Sequence, residues 1–348
     1  MNPYILASML FSLGLGTTIT FASSHWFLAW MGLEMNTLAI LPLMTQHSHP
    51  RAVEAATKYF LTQAVGATTL LFASITNTWL TGQWDIQQMS HPVPITLITL
   101  ALALKIGLAP LHSWLPEVLQ GLNLTTGLIL STWQKLAPFT LIMQIQPTNS
   151  SLLIMLGLTS TLVGGWGGLN QTQLRKILGY SSIAHLGWMI LIVQFSPSLT
   201  LLTLFIYIIM TFSIFLMFKL NNSTNINTLA ISSTKTPMLM ALTPLTLLSL
   251  GGLPPLSGFM PKWLILQELT KQNLTLTATL TALTALLSLY YYLRLSYTLA
   301  LTMAPNNVTG TTPWRLPPLQ MTMPLAITTT LTLLMLPLTP AMTTFLTL

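Results

Sequence analysis

Gly107-Leu108-Ala109-Pro110-Leu111-His112-Ser113-Trp114-Leu115-Pro116-Glu117 has a counterpart 145 residues on, Gly252-Leu253-Pro254-Pro255-Leu256-Ser257-Gly258-Phe259-Met260-Pro261-Lys262. The shared form is Gly-Leu-x-Pro-Leu-x-x-aromatic-x-Pro-charged. So many special residues do not agree at one offset by chance. Proline removes a backbone donor and glycine permits dihedrals that other residues avoid. Each stretch therefore breaks its helix, at Gly107 and Pro110 in the first and at Gly252, Pro254 and Pro255 in the second. Broken helices at membrane depth are tolerated only where the freed backbone is buried or lines water.

The surrounding composition is that of a membrane protein. Of 348 residues, 52% are hydrophobic and 5% charged, and mean hydropathy is +0.69. Soluble domains carry about 25% charged residues. A soluble core of this size would leave apolar surface with nothing polar to cover it, so the chain reads as a single polytopic membrane domain spanning 1–348. Cysteine is absent, which excludes disulfides, iron–sulfur clusters and thiolate metal sites. The net charge of +7 is scattered, with no basic run, so nucleic acid is not an expected partner. The N-terminus, Met1-Asn2-Pro3-Tyr4-Ile5, shows no basic or Arg/Ser-rich leader, and the first apolar run is expected to be a retained span. Triplets such as Asn123-Leu124-Thr125 are supplied by the abundance of threonine.

Hydropathy divides the chain into eleven expected crossings, over 3–21, 25–44, 58–80, 94–121, 123–145, 150–171, 175–195, 198–219, 236–270, 275–302 and 322–346. Segments 94–121 and 236–270 are too long for one simple span, and each holds one of the Gly/Pro breaks. The second segment stands five crossings after the first, an odd number. The expected fold is therefore all-α, with two inverted repeats of five helices each, roughly 1–146 and 147–303, plus a C-terminal helix at roughly 322–346. Inverted repeats with paired broken helices characterise transporters whose ion sites lie near the bilayer midplane. Arg51, Lys58, Arg175, Lys176, Lys219, Lys235 and Arg315 fall on one set of loops, and the opposite set holds little beyond Lys271. The positive-inside rule then puts the N-terminus on the inner side and the C-terminus on the outer side. Segment 47–58 carries Glu54 and Lys58 at i,i+4, which suits a surface helix.

Only 17 side chains are charged (12 Lys and Arg, 5 Asp and Glu), yet Glu34, Lys105, Lys135 and Lys262 lie within apolar stretches. A charge at the bilayer centre costs about 2.5–3.5 kcal/mol on insertion scales, and such residues mark ion or proton pathways. Glu34 is mid-span in Trp30-Met31-Gly32-Leu33-Glu34-Met35-Asn36. Alone in lipid its carboxyl would be protonated and inert; beside a lysine it stays ionised and sets that lysine's proton affinity. Lys105 just precedes the first break. Burial disfavours its ammonium and a carboxylate nearby favours it, a competition that allows proton exchange near neutral pH. Lys135 stands in Thr132-Trp133-Gln134-Lys135-Leu136-Ala137-Pro138, where Pro138 frees a backbone carbonyl toward a wetted cavity. Lys262 follows Pro261 at the second break, and its depth depends on how that helix folds. The competing reading for lysines is snorkelling to an interface, for which Lys135 is too central.

His112 and His185 are flanked by apolar residues and are further relay candidates, set against a plain helix-to-helix hydrogen bond. Haem or copper ligation is not expected, since no helix carries a second histidine to complete a site. Arg294, after Tyr290-Tyr291-Tyr292-Leu293, reads as a snorkelling residue near a span end, and Arg51, Glu54, Asp85, Lys219 and Arg315 as interfacial charges. Gly164-Gly165-Trp166-Gly167-Gly168 carries a small-xxx-small pattern that predicts a close helix crossing. It is no nucleotide loop, because Gly-x-Gly-x-x-Gly is absent and no strand precedes it.

Leu104-Lys105-Ile106-Gly107 through Pro116-Glu117 resembles the signature of the antiporter-like membrane subunits of respiratory complex I, the NADH:ubiquinone oxidoreductase. Met1-Asn2-Pro3, the Glu34 and Lys135 stretches, Arg175-Lys176-Ile177-Leu178-Gly179-Tyr180-Ser181-Ser182-Ile183-Ala184-His185-Leu186-Gly187 and Gly252–Phe259 extend the resemblance over essentially the whole chain. It implies that Glu34 is the family's intramembrane glutamate, Lys105 and Lys262 the lysines of the two broken-helix regions, and Lys135 the central bridging lysine. Bacterial members usually have fourteen helices, and this chain is similar to them from their fourth onward. The resemblance also implies the mitochondrial inner membrane, with the matrix as the inner side. Its partners would be other core and accessory membrane subunits and inner-membrane lipids, with cardiolipin expected near the matrix-side basic loops. No cofactor is expected in this chain; NADH, FMN, iron–sulfur clusters and ubiquinone would reside elsewhere in the complex.

The expected activity is proton translocation driven by redox chemistry elsewhere in the complex. Lys105, Lys135 and Lys262 would pass protons along a midplane water chain, and Glu34 would gate its start. Two rival expectations share the architecture: a stand-alone cation/proton antiporter, and a structural spacer whose buried charges persist for specificity.

Overall fold

The computed structural model describes residues 3–46, 49–145, 150–232, 236–301 and 322–347. Lys235 and Arg315, expected among the inner-side basic residues, and positions 47 and 48 of the expected surface helix lie outside the described residues. The helices are α1 (Pro3–Ala22), α2 (Trp26–Met44), α3 (Pro50–Thr81), α4 (Pro92–Ile106), α5 (Trp114–Gly121), α6 (Leu124–Ser131), α7 (Trp133–Ile145), α8 (Ser150–Gly168), α9 (Leu174–Ile192), α10 (Pro197–Leu220), α11 (Ile226–Ile231), α12 (Pro237–Gly251), α13 (Phe259–Lys271), α14 (Thr275–Leu301), α15 (Thr322–Leu334) and α16 (Thr339–Thr347). Contacts divide the chain into two compact units, Met1–Ser160 and Thr161–Leu348, with the boundary inside α8.

Six described helices are long and apolar enough to cross a membrane: α1, α2, α3, α8, α10 and α14. The α15–α16 pair makes a seventh if taken as one bent span. Helices α4 and α12 are apolar but have 15 residues each, about 22 Å at 1.5 Å per residue. That is short of a hydrocarbon core of roughly 30 Å. Threonine and serine are accommodated within these helices by bonding back to their own carbonyls. Thr20 to Thr17, Thr203 to Thr200 and Thr281 to Ala278 are buried instances. A hydroxyl satisfied in this way needs no water.

In unit 1 the backbone leaves the helical path at the expected place. Gly107 ends α4 in the left-handed region (φ 87°), its N–H donating to Ala103 and Leu104 carbonyls. The chain then passes a cis Ala109–Pro110 bond and restarts as α5 at Trp114. Three of the carbonyls freed by the break are occupied: Ala103 O by the N–H groups of Gly107 and Leu108, Leu104 O by Trp114 Nε1 at 3.1 Å, and Lys105 O by Gln63 Nε2 at 3.4 Å. Glu117 of α5 and Glu54 of α3 both pair with Lys58, at 2.8 and 2.7 Å. The surface segment expected to be separate is in fact the first turns of the 32-residue α3.

Unit 2 repeats the arrangement at the same interval. Helix α12 (Pro237–Gly251) stands 145 residues after α4 (Pro92–Ile106), and α13 begins at Phe259 as α5 begins at Trp114. Gly252 has φ 79°, and the cis bond is Pro254–Pro255. Gly258 meets the Ser249 carbonyl so closely that no Cβ fits there. Each unit also carries a clasp of two backbone bonds that hydropathy does not reveal. Trp26 N–H bonds Trp84 O and Ile86 N–H bonds Ser24 O, tying the start of α2 to the loop after α3. Leu174 N–H bonds Thr224 O and Ile226 N–H bonds Thr172 O, tying the start of α9 to the loop after α10.

Three details depart from the sequence expectation. The segment 123–145 is interrupted at Thr132, between α6 and α7. Thr132 Oγ1 bonds Leu128 O at 2.7 Å, which loosens the last turn of α6, while Pro138 lies inside α7. The C-terminal segment bends by 68° between α15 and α16. Pro337 and Pro340 sit at that bend, and Ser257 Oγ takes the Thr332 carbonyl there at 2.5 Å. Arg294, expected to snorkel, donates from Nη1 to Leu169 O at 2.8 Å, just past the end of α8. The glycine run of α8 does make the close crossing: a Cβ on Gly164 would lie 2.6 Å from Ala184 N of α9.

Candidate functional site

Lys105 is in the last turn of α4, where a cation complements the negative end of the helix dipole. It is 6% exposed, and its Nζ has no hydrogen-bond partner. Its stem passes over Gly66 of α3, where a Cβ would stand 3.0 Å from Lys105 Cγ. Lys135, on the first turn of α7, is 4% exposed. The two lysines line one cavity in unit 1, together with Asn36, Tyr59, Gln63, Gln134 and Pro138. Its volume is about 20 Å³, room for about one water.

Glu34 lies on α2, half-buried, with Oε2 enclosed and without a hydrogen-bond partner. It forms no ion pair with Lys105; the ion pairs among the described residues are Lys58–Glu54, Lys58–Glu117 and Lys271–Glu268. Its carboxyl nonetheless acts electrostatically on Lys105 and on Tyr59. A charge pair held apart in this way stays coupled without being locked, because fields reach further than hydrogen bonds in a low-dielectric interior.

In unit 2, Lys262 stands in the first turn of α13 and donates to Gly251 O at 2.7 Å, capping the end of α12 across the break. Gly252 makes this reach possible: a Cβ there would fall 2.8 Å from Lys262 Cδ and 3.1 Å from Nζ. Lys262 and His185 line a second cavity of about 20 Å³ with Tyr207, Thr203 and Met210. The His185 and Tyr207 rings are 5.6 Å apart. His112 lies in the first break, half-buried, with Nδ1 3.3 Å from Pro110 O, and lines neither cavity.

Each unit thus joins a broken helix, a break-region lysine and a water-sized cavity. Sequence reasoning missed the carboxamides of Asn36, Gln63 and Gln134 that line the first cavity. The available signal was uncharged polar residues in mid-span, a weak one in a chain so rich in threonine.

A helical membrane fold with paired helix breaks over buried lysines is the antiporter-like class. The chain belongs to the NADH:quinone oxidoreductase/Mrp antiporter transmembrane family, which matches residues 23–288, and the NADH dehydrogenase subunit 2 C-terminus family matches residues 289–343. NADH-ubiquinone oxidoreductase chain 2 of Salmo salar is 72% identical over 349 residues, covering 100% of both chains. That of Tetraodon nigroviridis is 72% identical over 344 residues, covering 99% of both. Among solved structures, a chain of respiratory complex I from Thermus thermophilus with bound aureothin is 26% identical with a TM-score of 0.82, over 96% of this chain and 80% of that one. The sequence is thus that of a multi-pass membrane subunit of an oxidoreductase complex.

Proposed function

We propose that this chain translocates protons as an antiporter-like subunit of respiratory complex I, driven by NADH:ubiquinone electron transfer in other subunits. The observation that carries the reading is the cavity shared by Lys105 and Lys135, two buried lysines with room for about one water between their walls. Lys105, Lys135 and Lys262 hold and release protons, and His185 extends the path beside Lys262. Glu34 biases Lys105 through the field of its carboxylate, so that loss of a proton at one site changes affinity at the next. The two units form one membrane domain of eleven crossings in the mitochondrial inner membrane, with inverted repeats, the N-terminus in the matrix and the C-terminus in the intermembrane space. The other membrane subunits and inner-membrane lipids, cardiolipin among them, surround it. The redox groups belong to other chains.

Lys135→Met tests this reading in the assembled complex. Methionine keeps length and apolar stem but holds no proton. The expected outcome is a complex that assembles and has lost proton pumping, measured as protons moved per NADH oxidised in sealed vesicles. Full pumping by this variant would leave the chain as a structural spacer. Sodium- or potassium-dependent transport by the purified chain in liposomes would instead favour a stand-alone antiporter.

A further inference from the structure

The unit 1 cavity contains a second polar group whose hydrogen bonds are unaccounted for. Asn36 on α2 is 2% exposed, and neither atom of its carboxamide bonds to protein. Four polar side chains around it are otherwise engaged. Gln63 Nε2 donates to Lys105 O, Gln134 Nε2 to Asn36 O at 3.2 Å, Thr37 Oγ1 to Glu34 O at 2.8 Å and Trp114 Nε1 to Leu104 O. Lys105 Nζ shares the condition of Asn36: enclosed and without a partner. Buried polar groups in proteins find partners, and a polar cavity of this size is where a water supplies them. Asn36 and Lys105 line that cavity together, with Lys135 on its wall.

We infer that one water occupies the cavity, held by the Asn36 carboxamide between Lys105 and Lys135, and that Asn36 is a positioning residue for proton transfer. The inference rests on the proton-relay reading above. A carboxamide suits the task because it offers both a donor and an acceptor. When Lys105 is charged it donates to the water oxygen, and the water donates to Asn36 Oδ1. When Lys105 is neutral its nitrogen accepts from the water, and Asn36 Nδ2 donates to the oxygen. The water is thus held in either protonation state, and no fixed charge is added to the site. The transfer balances: an N–H bond of the Lys105 ammonium breaks as an O–H bond to the water forms. Another O–H bond of that water breaks as an N–H bond forms on a neutral Lys135. One positive charge moves and the water is regenerated. Gly16 of α1 leaves the carboxamide its space, since a Cβ there would overlap Asn36 Oδ1.

The test uses the intact complex. High-resolution electron cryo-microscopy of the unaltered enzyme is expected to show a density peak within hydrogen-bond distance of Asn36 and Lys105. Asn36→Leu, similar in size but apolar, is expected to lose that peak and to lower protons moved per NADH several-fold at unchanged assembly. Asn36→Ser, which keeps a hydroxyl, is expected to recover both. A residue that merely packs would not show recovery with the smaller serine. Absence of the peak where other buried waters are resolved, or wild-type pumping by Asn36→Leu, overturns the inference. If Asn36→Leu does not assemble, the peak and the serine variant decide it. Failure of the relay reading is distinguishable: full pumping by Lys135→Met sinks that reading even with the water in place. Loss of pumping there with normal Asn36→Leu sinks only the inference.

Discussion

The left-handed glycines separate what a backbone conformation needs from what a site needs. Gly82, Gly107 and Gly252 all have positive φ, at 74°, 87° and 79°. A Cβ in that region costs roughly 1–2 kcal/mol whatever surrounds it. Around Gly82 nothing lies within 4 Å of the place a Cβ would take, whereas at Gly252 the Lys262 side chain runs 2.8 Å away. Gly82→Ala should therefore lower the stability of the assembled subunit by about 1–2 kcal/mol and leave pumping intact. Gly252→Ala should carry the same backbone penalty and also push the Lys262 ammonium off the Gly251 carbonyl. Thermal unfolding of the complex, read beside protons per NADH, checks both. A Gly252→Ala enzyme as well coupled as Gly82→Ala would show that the contact between Lys262 and the end of α12 carries no function.

Among the elements, close crossings set what can be changed. Gly164 of α8 sits against the Ala184 backbone of α9, and Gly14 of α1 has open space. Gly14→Leu should be tolerated, while Gly164→Leu should force the two helices apart at a cost of about 1–3 kcal/mol or more, seen as a lower melting temperature in detergent. The same contrast explains what could be read from residue order. The breaks at Gly107 and Gly252 were legible because glycine and proline act locally, and their repetition 145 residues apart made the motif unmistakable. Lys105, Lys135 and Lys262 were legible because charge in an apolar run is rare. The interruption at Thr132 was not, since hydropathy runs unbroken through it. The bend between α15 and α16 was hidden in the same way, and its freed Thr332 carbonyl is met by Ser257, 75 residues away. The backbone clasps at His25–Asp85 and Gln173–Asn225 needed loops to meet in space. Asn36, Gln63 and Gln134 escaped notice because an uncharged amide in a span is as easily a helix-to-helix bond as a water ligand.

For the whole molecule, the proposed topology is tested by counting crossings. The clasp of unit 1 lies beyond the end of α3, and that of unit 2 beyond the end of α10. From the loop after α3 to the loop after α10 the chain makes five crossings if α4–α5 and α6–α7 each count as one span with α8, α9 and α10. Under the proposed topology this odd number puts the two loops on opposite sides. The basic residues agree with this count: Lys219 sits at the end of α10, and the loop after α3 carries Asp85 and no lysine or arginine. The chain has no cysteine, so label found on this subunit, once it is separated from the others, comes from the introduced thiol alone. Gln87 and Thr224 are both exposed, one in each loop. On the proposed orientation, Gln87→Cys should react with a membrane-impermeant maleimide from the intermembrane-space side, and Thr224→Cys only after the matrix side is opened. Labelling of both from one side would require an even number of crossings. That would make one broken helix re-entrant and rule out the proposed inverted relation between the repeats. Two lysine-bearing breaks facing the same compartment could not form the two halves of a path across the membrane.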